Sequence, residues 1–164
     1  MNESIKAVHL AHTDGELSDV SAFGSGATAR AVTFHRSLPV YEPTPLADLK
    51  CLAAGLGLGR IAVKDESKRF GLNAFKGLGT SYSVARYLAQ YLDLPESEMT
   101  YETLQKPEYR ERLRGVTLVT ATDGNHGRGI AWAAKLFGLF AHVFMPKGSS
   151  PERLANIRGL GAEA

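Results

Sequence analysis

Apolar residues recur at helical spacing at Phe75, Leu78, Tyr82, Ala85, Leu88 and Leu92, which predicts one long helix with a buried face. Asn73 stands ahead of it as the expected N-cap. Upstream, the first ~20 residues carry no clear period and read as a loosely held arm. A short helix is expected over 28–38, ending before Pro39. Residues 41–46 hold Pro43 and Pro45, which forbid helix and leave an extended segment. A second short helix is expected over 47–54, stopped by Gly55, then a strand over 60–64 and a turn over 70–73.

Residues 93–114 are polar and read as a connecting insertion, with a helix over 101–113. After Gly115 the pattern changes. Val116-Thr117-Leu118-Val119-Thr120 is β-branched and predicts a strand. Thr122-Asp123-Gly124-Asn125-His126-Gly127 is a tight turn, and an alanine-rich helix follows over 129–137. Residues 140–145 form a second strand, stopped by Pro146, and Ser149 or Ser150 caps a helix running to Arg158. Strand, helix, strand, helix is the pattern of a parallel sheet with right-handed βαβ crossovers, so the fold class is α/β. Another strand is expected at the point where the sequence ends, because two parallel strands alone leave exposed edges. The sequence therefore reads as a truncated α/β unit. Its organisation is expected to be 1–92, a connecting insertion over 93–115, and the start of a second unit over 116–164.

Composition narrows the class. The chain has 164 residues, 44% hydrophobic and 22% charged, with 19 basic and 17 acidic side chains and a net charge of +2. That balance argues against nucleic-acid or membrane-surface partners. One cysteine, Cys51, allows no internal disulfide and suits a reducing, cytoplasmic setting. Cys51 is expected in the core of its helix. Residues 1–4 lack the basic start and apolar stretch of a signal peptide.

Two places could carry chemistry. Lys76 lies near the start of its helix, where the positive end of the dipole disfavours an ammonium and favours the nucleophilic amine. Glycines at 71, 77 and 79 leave room for a flat ring beside the backbone. The same lysine is also compatible with a solvated surface position. The 122–127 turn lies at the C-terminal end of a parallel strand and opens a helix, where free N–H groups favour anions. Thr122, Gly124, Asn125 and His126 are its candidate substrate-binding residues, and Asp123 is a candidate base. The same residue types also serve simply to make a turn. His9 and His12 have metal-compatible spacing, but no further ligands cluster near them and no metal is expected. Gly24-Ser25-Gly26-Ala27-Thr28-Ala29 fits a dinucleotide pattern but follows no apolar strand. Residues 64–69 are charged and read mostly as a solvated turn.

Pro43-Thr44-Pro45-Leu46, Val63-Lys64-Asp65-Glu66, Asn73-Ala74-Phe75-Lys76 and Asp123-Gly124-Asn125-His126-Gly127 occur in an order that resembles fold-type II (tryptophan synthase β-like) pyridoxal-phosphate enzymes. The long runs over 64–76 and 121–129, with Met145-Pro146-Lys147-Gly148-Ser149, are most similar to the diaminopropionate ammonia-lyases. The resemblance covers 34–163. It implies that Lys76 carries pyridoxal 5'-phosphate (PLP), that Asn125 lies near the ring hydroxyl, and that Asp123 is a carboxylate used in proton abstraction. Dehydratases of the same fold have a serine at the position of Asp123. The implied reaction converts either stereoisomer of 2,3-diaminopropionate to pyruvate and ammonia, in a homodimer.

One departure follows from length. The family's glycine-rich loop for the cofactor phosphate lies downstream of the matched region, and Gly55-Leu56-Gly57-Leu58-Gly59 is in the wrong place to replace it. The 164-residue chain by itself is thus expected to hold PLP weakly or not at all. A dehydratase of the serine or threonine type, and a non-catalytic binding module, are the alternative readings.

Overall fold

The computed structural model describes residue 20 and residues 23–122 and 124–164. The expected arm, His9 and His12 therefore lie outside the described residues, apart from Val20. Helix α1 spans Ser25–Ser37. Leu38 breaks it with extended backbone (φ −71°, ψ 132°), as a residue before proline prefers. Residues 41–45 are extended and lead into strand β1, Leu46–Asp48. This start of the expected 47–54 helix is instead strand. It pairs antiparallel with β2, Ala62–Lys64, with Ala47 opposite Val63. Helix α2 begins only at Lys50 and runs to Gly55, burying Ala53 alone. Cys51 is exposed, contrary to the expectation that it packs in the core.

The long helix α3 spans Lys76–Tyr91. Asn73 does not cap it. Asn73 adopts a left-handed conformation (φ 53°) in the turn before the helix, and the N-cap position falls to Phe75, whose side chain is mostly solvent-exposed. Lys76 is consequently the first helical residue. The predicted face is buried at Ala85, Leu88 and Leu92 and half-buried at Leu78 and Tyr82.

The connecting region is two helices rather than one. Helix α4 spans Tyr101–Leu104 and α5 spans Pro107–Arg112. The break lies where Pro107 takes the first position of α5, a place that needs no N–H partner. Thr100 caps α4, its hydroxyl accepting from the Thr103 N–H at 3.1 Å. The region is polar in sequence but is not merely a connector. Met99, Leu104 and Leu113 are buried in the main core with Phe34, Leu88 and Phe137. The Tyr101 N–H donates to the Ser37 hydroxyl at 2.8 Å, tying α4 to the end of α1.

Strands β3 (Thr117–Ala121) and β4 (Phe140–Phe144) pair in parallel, with Val119 opposite His142. Helix α6 (Asn125–Phe137) crosses between them, and α7 (Pro151–Arg158) follows β4. Gly138 ends α6 in a left-handed conformation (φ 65°), and Ser150 caps α7 by accepting from the Arg153 N–H. Ala141, Val143, Ala131, Ala134 and Ile157 form a second core on one face of this sheet. On the other face Val119, Phe140 and Phe144 are each about two-thirds exposed. Glu163 begins a third parallel row beside β4: its N–H donates to the Ala141 carbonyl at 2.9 Å, and the Val143 N–H donates to its carbonyl at 2.8 Å. His142 Nδ1 also lies 3.2 Å from Glu163 Oε2.

The most extensive packing between helices is that of α3 on α6. It depends on small residues. A Cβ added at Gly129 would lie 2.8 Å from the Thr80 hydroxyl and 3.4 Å from the Lys76 carbonyl. Thr80 is buried and donates to that same carbonyl at 2.9 Å. Only glycine lets the two helices approach this closely. Gly129→Ala gains helix propensity of about 1 kcal/mol, yet overpacking of this kind costs about 1–3 kcal/mol. We expect a net loss of about 1 kcal/mol, read as a lower urea midpoint with an unchanged slope.

Candidate active site

Residues 64–75 form the loop that delivers Lys76, and its anchor is Arg69. The sequence reading treated this run as mostly solvated, but Arg69 is only 4% exposed. Its Nε donates to Glu66 Oε2 at 2.7 Å and its Nη2 to Glu66 Oε1 at 3.0 Å, a bidentate pair. Nη1 donates to the Glu42 carbonyl at 2.7 Å, and Nη2 also donates to the Thr44 hydroxyl at 2.8 Å. Thr44 in turn donates to Glu66. The guanidinium lies over the rings of Tyr41 and Phe70, at 5.6 and 5.5 Å from their centres. One side chain thus joins the extended 41–45 segment to the loop before the long helix. Arginine's planar fork suits this role, and lysine's point charge does not.

The next residue is strained. Phe70 has φ 52° and ψ 20°, a left-handed conformation that costs a bulky side chain about 1–2 kcal/mol. Its ring stacks on Trp132 of α6, with centres 4.5 Å apart and planes 12° apart. The ring also meets the backbone at Gly77, where an added Cβ would lie 2.8 Å from Cδ2 of Phe70.

Lys76 is half-buried at the first position of α3, with its Nζ 4.4 Å from the centre of the Phe75 ring. Asn125 is the first residue of α6 and is exposed, as is His126. Gly124 occupies the N-cap position and is half-buried. Thr122 is half-buried, its N–H donating to the Phe144 carbonyl at 2.9 Å. Asp123 lies outside the described residues. Gly129, the fifth residue of α6, packs against Thr80 and the Lys76 carbonyl near the start of α3. Asn125 is one helical turn before Gly129, about 5–6 Å along the axis. The two candidate residues thus open helices that pack on one another, although 49 positions separate them in the sequence (125 − 76).

Room exists beside them. A Cβ at Gly71, Gly79 or Gly124 would meet nothing within 4 Å. The residues present thus fit a flat aldehyde cofactor in two respects: a primary amine at the edge of open space, and a helix start with unpaired N–H groups suited to an anion. No group of three or more metal-ligating side chains occurs among the described residues. Sequence reasoning missed Arg69, Glu66 and Thr44. The signal was available, since a glutamate three residues before an arginine makes a local pair. It also missed Arg128, whose Nε is buried without a hydrogen-bond partner among the described residues. Arg128 borders a small cavity of about 120 Å³ with Gly124, Asn125, Arg153 and Asn156.

A family described as pyridoxal-phosphate dependent enzyme matches residues 38–164. The chain belongs to this family. Among curated pyridoxal-phosphate dependent enzymes, the diaminopropionate ammonia-lyase of Salmonella typhimurium is 55% identical over 132 residues, covering 80% of this chain and 33% of that protein. The Escherichia coli K12 diaminopropionate ammonia-lyase is 46% identical over 150 residues, covering 92% of this chain and 36% of that protein. The crystal structure of the apo form of the Escherichia coli enzyme superposes with a TM-score of 0.78 at 45% identity, over 86% of this chain and 38% of that one. A further structure of that enzyme, with an aminoacrylate-PLP azomethine reaction intermediate, superposes with a TM-score of 0.72. The chain spans about a third of the length of these relatives.

The Arg69 pair has a pH consequence. Hydrogen bonds from Arg69, with a further one from Thr44, hold the Glu66 carboxyl down at about 2, against an ordinary 4.5. A carboxyl depressed in the folded state stabilises above its unfolded value, and that contribution is lost as pH falls from about 4.5 towards 2. His35 adds to the same trend. Burial lowers its value below 6.5, so protonation below that point opposes folding. Urea midpoints measured from pH 7 to pH 2 should fall throughout, and Glu66→Gln should flatten the portion below pH 4.5. Arg69→Ala removes the guanidinium partner of the half-buried Glu66 carboxylate and should cost about 3 kcal/mol at pH 7.

Proposed function

We propose that the protein of which this chain forms part is a PLP-dependent lyase that eliminates ammonia from 2,3-diaminopropionate and yields pyruvate. The observation that supports the reading is the packing of α6 on α3 at Gly129, Thr80 and the Lys76 carbonyl, within a chain 55% identical to a diaminopropionate ammonia-lyase. Lys76 holds the cofactor through its amine, and Asn125 lies beside the ring. Backbone N–H groups of the 122–126 turn, with Thr122, Gly124 and His126, bind the substrate carboxylate at the positive end of α6. Asp123 and the amine of Lys76 are two bases for the α-proton, and bases on different sides of the substrate accommodate both stereoisomers. Bound pyridoxal phosphate supplies an electron sink for the charge left when that proton departs. Loss of the β-amino group and hydrolysis complete the conversion.

The finer attributes are proposals resting on the family resemblance and on composition. They are a homodimeric full-length form in the cytoplasm, acting on a small amino acid rather than on nucleic acid or membrane. No helix among the described residues is long and apolar enough to cross a membrane. The assignment of 1–92 to the large domain, 93–115 to a helical insertion and 116–164 to the start of the small domain is proposed on the same footing.

Adding PLP to a full-length form, reducing with borohydride and mapping the peptides should place the label on Lys76, and Lys76→Ala should abolish it. Label on another lysine would overturn the assignment. For Asp123, the turnover of the D- and L-substrates is compared in Asp123→Asn. We expect a loss of about 100-fold or more with one isomer, the scale of a missing general base. Equal, undiminished rates with both isomers would remove Asp123 as a base.

A further inference from the structure

We infer that Phe70 is a positioning residue: its ring is the wedge that fixes where Lys76 begins its helix. The inference rests on the assignment of Lys76 to the cofactor. Three observations meet at this ring. Its backbone is left-handed at φ 52°, a conformation that persists only where surroundings impose it. The imposing groups are Arg69 and Trp132. Arg69, fixed by Glu66, Thr44 and the Glu42 carbonyl, holds the preceding residue and covers one side of the ring at 5.5 Å. Trp132 of α6 stacks on the ring at 4.5 Å. The edge of the ring then rests on Gly77, directly after Lys76, where a Cβ would come within 2.8 Å of Cδ2.

The start of α3 has no side-chain cap, since Asn73 does not cap it and Phe75 at the N-cap offers no acceptor. Its first turn is held by the Thr80 hydroxyl on the Lys76 carbonyl, by the Leu78 N–H on the Phe75 carbonyl at 3.0 Å, by His35 Nε2 on the Leu78 carbonyl at 2.9 Å, and by contacts of Gly77 with Leu72 and of Gly129 with Thr80. Phe70 is the contact that ties this turn to the Arg69 loop and to α6. Gly129 sets the distance of Lys76 from α6. Phe70 sets its position relative to the Arg69 loop. A ring is required because a branched aliphatic side chain cannot lie flat between an indole and a glycine backbone.

The test uses the full-length form and four variants, with two readouts. The first is amide hydrogen exchange of peptides covering the start of α3, which needs no cofactor. The second is the rate at which PLP and borohydride label Lys76, relative to the other lysines. Phe70→Gly removes the ring and relieves the backbone strain, so a purely conformational role predicts unchanged or slower exchange. The wedge predicts exchange about tenfold faster at the start of α3 only, and Lys76 labelling about tenfold slower, on the scale expected for misplacing a reacting group. Phe70→Tyr keeps the ring and should stay within about twofold of wild type in both. Gly77→Ala pushes on the ring from the other side and should behave like Phe70→Gly. Phe70→Leu keeps apolar bulk without stacking, carries the same expectation, and replaces the glycine variant if that variant fails to fold.

The inference is overturned if the ringless variants exchange and label as wild type does. It is also overturned if a folded Phe70→Tyr loses as much as they do, or if the faster exchange spreads evenly over α3 and α6. Failure of the cofactor reading looks different: the full-length wild type would then carry no preferential label at Lys76, while the exchange effect of the ringless variants persisted.

Discussion

The approach of α3 to α6 at Gly129 is the constraint on which the candidate site depends. Thr80 and the Lys76 carbonyl occupy the space a side chain at 129 would need, so the two helices approach closely there. That approach packs the helix that begins with Lys76 against the one that begins with Asn125. Neither end has this chemistry alone. A lysine at a helix start is an ordinary surface feature, and an Asp-Gly-Asn turn is an ordinary turn. Their juxtaposition, in a chain that belongs to the pyridoxal-phosphate dependent enzymes, gives them a shared purpose.

Around this contact the protein balances unfavourable local choices against tertiary ones. Phe70 and Asn73 are both left-handed within four residues, and the helix they precede has no side-chain cap. The balance comes from the Arg69–Glu66–Thr44 network and from the Phe70–Trp132 stack. Burial of an ion pair adds little stability by itself, because desolvation offsets the attraction. Its value here is geometric, since four donor contacts from one guanidinium leave the loop a single arrangement. The second core is lighter. Helices α6 and α7 cover one face of the β3–β4 pair, while Val119, Phe140 and Phe144 face solvent on the other. Parallel sheets are ordinarily covered on both faces.

Several elements were legible in the sequence for plain reasons. The β-branched run before Ala121 made β3, the alanine-rich segment made α6, and Ser150 capped α7, because each signal is local and nothing distant contradicts it. Elsewhere distant partners decided. Residues 46–48 became strand because residues 62–64 lie alongside them, and no helical propensity in 47–54 could reveal that. Asn73 has the chemistry of a cap, but the loop tied down by Arg69 placed it in the turn instead. The polar look of 93–114 concealed Met99, Leu104 and Leu113, which are too widely spaced to show a period across two short helices. Cys51 lies on a helix too short to bury more than Ala53.

The sequence by itself determined the chemistry on offer: an amine at 76, an amide at 125, a carboxylate at 123, glycines where backbones must come close, and an α/β order of elements. Those are properties of residue type and short-range pattern, readable one turn at a time. Only the tertiary structure decided that the amine and the amide open adjacent helices, that Arg69 is buried and paired rather than solvated, and that Phe70 is held against its own backbone preference. Each of these depends on groups 25 or more positions apart. Packing of that range follows from where whole elements can fit, and no local pattern records it.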